Sequence, residues 1–219
     1  MNKMKTLVLG SVLAASTVAS SVAMAGASAN VALSTDYVFR GYSFSEGAPA
    51  ISGGFDYDFE NGFAVGAWGS STSGVNSGLE LDLYGSYSGE VSGVGYSVGY
   101  TNYRFPGGDT ASDVDVGEVF AGVSFMGFGL TYYDGDNDFG ADYLELTYGM
   151  DLTKDYSLGL SYGITDFDGA AEDVADYKVS VSTEIGGFGF ELAATDTDAN
   201  TPGDLNDDSR VFLTISKSM

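Results

Sequence analysis

The stretch "STDYVFRGYSFSEGAPAISGGFDYDFENGFAVGAWGSS", residues 34–71, decides the fold. Apolar and polar side chains alternate through it almost without a break, and the apolar members are as large as Tyr37, Phe39, Phe55 and Tyr57. A period of two belongs to a strand with two unlike faces. In a water-soluble sheet those rings would pack under a second sheet. In a membrane barrel they would face lipid, and their polar partners would fill the inside.

Outward from this stretch the pattern repeats. Val31, Leu33, Tyr37 and Phe39 alternate with Ser34, Asp36 and Arg40, and Leu79, Leu81 and Leu83 alternate with Glu80, Asp82 and Tyr84. Leu144, Leu146 and Tyr148 oppose Glu145 and Thr147, and Tyr177, Val179 and Val181 oppose Lys178, Ser180 and Ser182. About twelve such runs of roughly ten residues fit the chain, the length at which a tilted strand crosses a bilayer. Trp68 falls on the inward phase of its run.

Connection lengths separate a barrel from a soluble sandwich. Short links at Glu60-Asn61, Ser88 to Gly93, Met126-Gly127, Thr153 to Asp155 and Gly186-Gly187 alternate with longer ones near 41–48, 71–77, 105–113, 134–141, 166–175 and 196–207. Short periplasmic turns and longer outer loops are the rhythm of bacterial outer-membrane barrels. Tyr57, Phe59, Phe63, Tyr87, Phe125, Phe128, Tyr156, Phe188 and Phe190 lie beside the short links, and Tyr37, Phe39, Tyr132, Tyr162 and Tyr177 lie toward the long ones. The two sets match two interfacial aromatic girdles. The expected fold is all-β: a transmembrane antiparallel β-barrel of about twelve strands.

Composition narrows the function. The 219 residues carry 31 acids against 8 bases, a formal charge of −23, with no histidine and no cysteine. Such a chain repels nucleic acid, and it can form no disulfide. Lys3 and Lys5 precede an apolar run ending in Ala23-Met24-Ala25, the form of a Sec-type signal peptide cleaved after residue 25. Residues 26–219 are then the barrel, exported to the outer membrane of a Gram-negative bacterium.

"TDYVFRG", "GGFDYDFENGF" and "GAWGSS" together resemble the TorF porin family, most specifically over residues 30–71. The resemblance implies a signal peptide and a small outer-membrane barrel. Chains of that kind usually end in an aromatic residue read by the barrel-assembly machinery, whereas this one ends in Met219.

Alternation directs Asp36, Arg40, Asp56, Asp58, Glu80, Asp82, Tyr84, Glu118, Glu145, Lys178, Glu184, Glu191 and Arg210 into the lumen. Acids dominate that face, so an open pore would favour cations. Arg40, Lys178 and Arg210 could instead pair with acids across the lumen and plug it. The expected function is a porin-like channel for passive diffusion of small hydrophilic solutes. The alternative is a plugged structural or adhesive barrel acting through acidic surface loops.

Enzymatic readings lack a base. Outer-membrane phospholipases, deacylases and omptin-like proteases resemble one another in using histidine, and serine without a nearby base is a weak nucleophile. No cofactor is expected. Asp134, Asp136, Asp138 and Glu145 stand at calcium-loop positions one, three, five and twelve, but the glycine is at seven rather than six and no helices flank the loop. The expected partners are outer-membrane lipid and lipopolysaccharide, periplasmic chaperones and the barrel-assembly machinery in transit, and small hydrophilic solutes.

Overall fold

The computed structural model describes residues 26–73, 78–106, 115–135, 141–167, 173–199 and 209–219. Twelve antiparallel strands close into a barrel, each paired with its neighbour in sequence. They are β1 (Gly26–Ser34), β4 (Ala50–Asp58), β5 (Phe63–Thr72), β6 (Gly78–Val91), β7 (Val94–Arg104), β8 (Asp115–Phe125), β9 (Phe128–Gly135), β10 (Asp142–Asp151), β11 (Ser157–Asp166), β12 (Val174–Ile185), β13 (Phe188–Thr197) and β14 (Arg210–Ser218). β2 (Val38–Phe39) and β3 (Tyr42–Ser43) form a separate hairpin between β1 and β4.

Closure removes every sheet edge, the condition for a sheet to stand in lipid. The seam joins the first and last strands, with Asn30 opposite Ser218 and Ser34 opposite Thr214. Ala29 and Met219 extend it by exchanging backbone hydrogen bonds of 3.0 and 2.8 Å.

The strands form where the alternation lies, and their two faces differ as a bilayer requires. Outside are Val31, Leu33, Ile51, Phe55, Leu83, Val98, Val123, Leu146, Val179 and Leu192, all exposed on the protein surface. Inside are small polar residues such as Ser70, Thr101, Thr131, Ser180 and Thr195, all buried. The short links are tight because both central residues take positive φ: Ser92 (54°) with Gly93 (83°), Met126 (51°) with Gly127 (86°), and Gly186 (62°) with Gly187 (77°). This two-residue geometry matches the twist of the strands it joins.

Residues 1–25, with the expected signal peptide, lie outside the described residues, as do Asp136 and Asp138 of the calcium-loop pattern. Half or more of each expected long outer loop does too, except the first. That one differs from expectation. Residues 41–48 are not an outer loop, because β1 stops at Ser34 and the chain turns into the barrel as the β2–β3 hairpin. Tyr37, expected to face lipid, is buried, and Phe39 packs 6.0 Å from Tyr103. The girdle beside the long loops retains Tyr132, Tyr162 and Tyr177, all exposed. The last two stack at 6.0 Å.

Candidate functional site

The hairpin is a strand pair with its own tight turn. Val38 pairs with Ser43 and Phe39 with Tyr42, and Arg40 (φ 48°) and Gly41 (φ 85°) make the turn. Its base is tied by the Asp36 carboxylate, which accepts hydrogen bonds from Ser43 Oγ (2.6 Å), Ser45 Oγ (2.9 Å) and Arg210 Nη1 (3.0 Å). Burial would make this carboxylate costly without such donors. Ser73 N also donates to Phe44 O at 2.9 Å, fastening the hairpin to the end of β5.

The hairpin crosses the lumen. Leaving from β1, beside β4 and β5, it rests on that wall through Tyr37, whose ring lies 5.6 Å from Trp68 and whose hydroxyl donates to Glu80 Oε1 at 3.1 Å. Its tip reaches the opposite wall. A Cβ on Gly41 would stand 3.0 Å from the Cβ atoms of Asp176 on β12 and Thr197 on β13, so glycine permits both the φ and the close approach. Arg40 Nη1 and Nη2 donate to Glu118 Oε1 and Oε2 on β8 at 2.7 and 2.9 Å. The guanidinium lies over Tyr143 (4.1 Å), Phe39 (4.7 Å) and Tyr133 (5.0 Å). Tyr103 completes the arrangement by donating to Glu118 Oε2 at 3.0 Å.

The expected lumen residues therefore divide into three groups. Asp36 and Arg40 belong to the inserted hairpin and not to a wall strand, a correction to the reading of residues 31–40 as one continuous strand. Glu80, Asp82, Glu118 and Glu145 are buried on the wall around the hairpin, and Arg210 pairs with Asp36. Lys178, two residues from Asp176 on β12, lies 3.8 Å from Glu191, and toward the short-turn end Tyr84 donates to Asp56 while Asp58 and Glu184 are exposed at the rim.

Charge is not balanced in this interior. Asp82 is 0% exposed, and neither of its carboxylate oxygens has a hydrogen-bond partner among the described residues; Glu80 Oε2 and Asp176 Oδ2 are likewise unpartnered there. Buried carboxylates without donors create a strong local demand for positive charge. No group of three or more potential metal ligands occurs among the described residues.

The sequence reading missed Asp176, Tyr103, Tyr133, Tyr143 and the hairpin itself. Two signals were present. Tyr42 and Phe44 are large rings in what reads as a solvated loop, and Arg40-Gly41 is a two-residue turn between alternating runs.

A family model described as a bacterial protein of unknown function, Gcw_chp, matches residues 16–218. The description does not carry the TorF name. No curated protein matches the chain. Among solved structures, the KdgM porin aligns over 88% of this chain and 99% of its own, with 10% identity and TM-score 0.58. The KdgM porin in complex with disordered oligogalacturonate aligns over the same shares with 10% identity and TM-score 0.61. LpxR from Salmonella typhimurium aligns over 88% of this chain and 99% of its own, with 9% identity and TM-score 0.49. The chain has the barrel fold of the KdgM porin.

Proposed function

The chain belongs to the Gcw_chp family of bacterial proteins of unknown function, and we propose that it is an outer-membrane channel whose lumen is constricted by its own hairpin. The observation that carries this reading is the β2–β3 hairpin, which spans the lumen from Trp68 on β5 to Asp176 and Thr197 on β12 and β13 inside a closed, lipid-facing barrel. In a barrel of about twelve strands the wall side chains do not fill the interior, and the hairpin narrows the space they leave. A pore that must remain tight to unwanted solutes needs a constriction with a defined chemistry.

Small hydrophilic solutes would cross by diffusion, filtered by the width left beside the hairpin and by charge. Cations are favoured, because Asp82, Glu80, Glu145 and Asp176 outnumber the bases around them, and Arg40, Arg210 and Lys178 already pair with Glu118, Asp36 and Glu191. The acidic oligosaccharide held by the KdgM porin would meet repulsion here. Catalysis is disfavoured by the lack of histidine in the whole sequence.

The hairpin also gives the alternative of a permanently plugged barrel its one supporting observation. Single-channel recording of the refolded barrel across a salt gradient separates the two. Discrete steps with a cation-side reversal potential support the channel. Silence in both the full barrel and a variant lacking residues 35–49 refutes it.

A further inference from the structure

Arg40 is held as a ligand is held. Its planar guanidinium makes a two-pronged salt bridge to Glu118, lies over the rings of Tyr143 and Tyr133 from the wall and of Phe39 from its own hairpin, and is shielded from water. Fork-to-carboxylate pairing and stacking on aromatic faces are the two contacts that select guanidinium over other cations. The residue stands first in the hairpin turn, with φ 48° like Ser92 and Met126 in the short turns, and that turn carries its head group to the far wall.

All the wall groups of this cage lie on barrel strands: Glu118 on β8, Tyr133 on β9, Tyr143 on β10 and Tyr103 on β7. Their positions are set by the pairing of those strands and not by the hairpin. Arg40 is the part that can move, since it reaches the cage only through the hairpin tip.

We propose that the Glu118–Tyr133–Tyr143 cage is a binding site for solutes bearing a guanidinium group, and that Arg40 occupies it as an internal competitor. This rests on the channel reading given above and adds its substrate class and its gate. A guanidinium solute that takes Glu118 from Arg40 releases the tip, and the hairpin withdraws from the wall formed by β8, β10 and β12. The Asp82 carboxylate and Asp176 Oδ2, on either side of the cage and without a hydrogen-bond partner among the described residues, supply the next attractive positions for the freed cation.

The test uses argininamide and citrullinamide, which differ by a guanidinium against a neutral urea group. Binding to the refolded barrel in detergent is measured by calorimetry, with folding checked by heat-modifiable gel mobility. Release of the hairpin is read from Trp68, the single tryptophan, whose ring lies against Tyr37 of the hairpin. The expected results are a saturable Trp68 fluorescence change with argininamide, no response to citrullinamide, and at least about tenfold tighter argininamide binding in Arg40→Ala, because removing the competitor frees the binding-competent state. Adding Glu118→Gln to that variant abolishes the binding.

Equal affinity in the parent and Arg40→Ala, or equal binding of the two probes, overturns the proposal. If the double variant does not fold, the comparison of parent with Arg40→Ala decides alone. Conductance separates the two claims. An Arg40→Ala barrel that passes ions but binds no argininamide removes the cage and keeps the channel. One that binds argininamide but stays silent keeps the cage and removes the channel.

Discussion

Deleting the hairpin should open the barrel by an amount that geometry sets. Ser34 and Ala50 are directly paired across β1 and β4, so residues 35–49 can be replaced by a two-residue Asn-Gly turn without moving either strand. Twelve strands about 4.8 Å apart and tilted about 40° give a circumference of roughly 75 Å and a backbone radius of about 12 Å. Wall side chains take up about 5 Å of that radius, half the spacing of two packed sheets, which leaves a lumen roughly 14 Å across and about 150 Å² in section. Two hydrogen-bonded strands cover a band about 10 Å wide, so with the hairpin in place the open section falls to roughly 27 Å². Unit conductance should rise about five- to sixfold on deletion, and further where Arg40 and Phe39 also close the margins. The assay is single-channel recording in symmetric potassium chloride, with barrel closure checked by heat-modifiable gel mobility. A closed deletion variant with the parent's unit conductance would refute the argument, because the hairpin would then not lie in the ion path.

Other expectations concern the wall. Neutralising Glu80 and Asp82 as Glu80→Gln and Asp82→Asn should shift the reversal potential in a salt gradient toward zero; an unchanged value removes both from the filter. Asp82→Asn alone should leave the barrel at least as resistant to urea as the parent, since it discharges a buried carboxylate that has no donor among the described residues. Phe55, 74% exposed on the lipid face of β4, should cost about 2–4 kcal/mol when replaced by lysine near the bilayer midplane, measured by folding titration into lipid vesicles. Gly66→Ala should cost about 1–3 kcal/mol, because an added Cβ would overlap the Tyr84 ring and break its hydrogen bond to Asp56. Gly85→Ala, where the nearest atom would be 3.7 Å away, should cost far less in the same titration.

The barrel was legible because its two solvents differ. Lipid outside and water inside force a period of two on every strand, so Phe55 and Tyr57 against Asp56, or Leu81 and Leu83 against Glu80 and Asp82, state the face of each residue directly. The turns were legible because Met126-Gly127 and Gly186-Gly187 interrupt that period with pairs that accept positive φ. The hairpin obeys the same period for a different reason. Tyr37 and Phe39 alternate with Asp36, Val38 and Arg40 because β2 is also a strand, and alternation reports two faces without naming what each face touches.

What a wall strand and an inserted hairpin do differently is end at different places, and only tertiary contacts fix those ends. β1 stops at Ser34 because Asp36 is captured by Ser43, Ser45 and Arg210, the last of these 174 residues away in sequence. The cage was illegible for the same reason. Glu118, Tyr133 and Tyr143 come from three consecutive wall strands and Arg40 from a segment far earlier in the chain, so no spacing in the sequence records their meeting. The aromatic positions carry the remaining information. A tyrosine on the lumen phase of a strand is costly in a narrow barrel unless something apolar or cationic covers its face. Tyr103, Tyr133 and Tyr143 all occupy that phase, and what covers them is the hairpin that crosses the lumen.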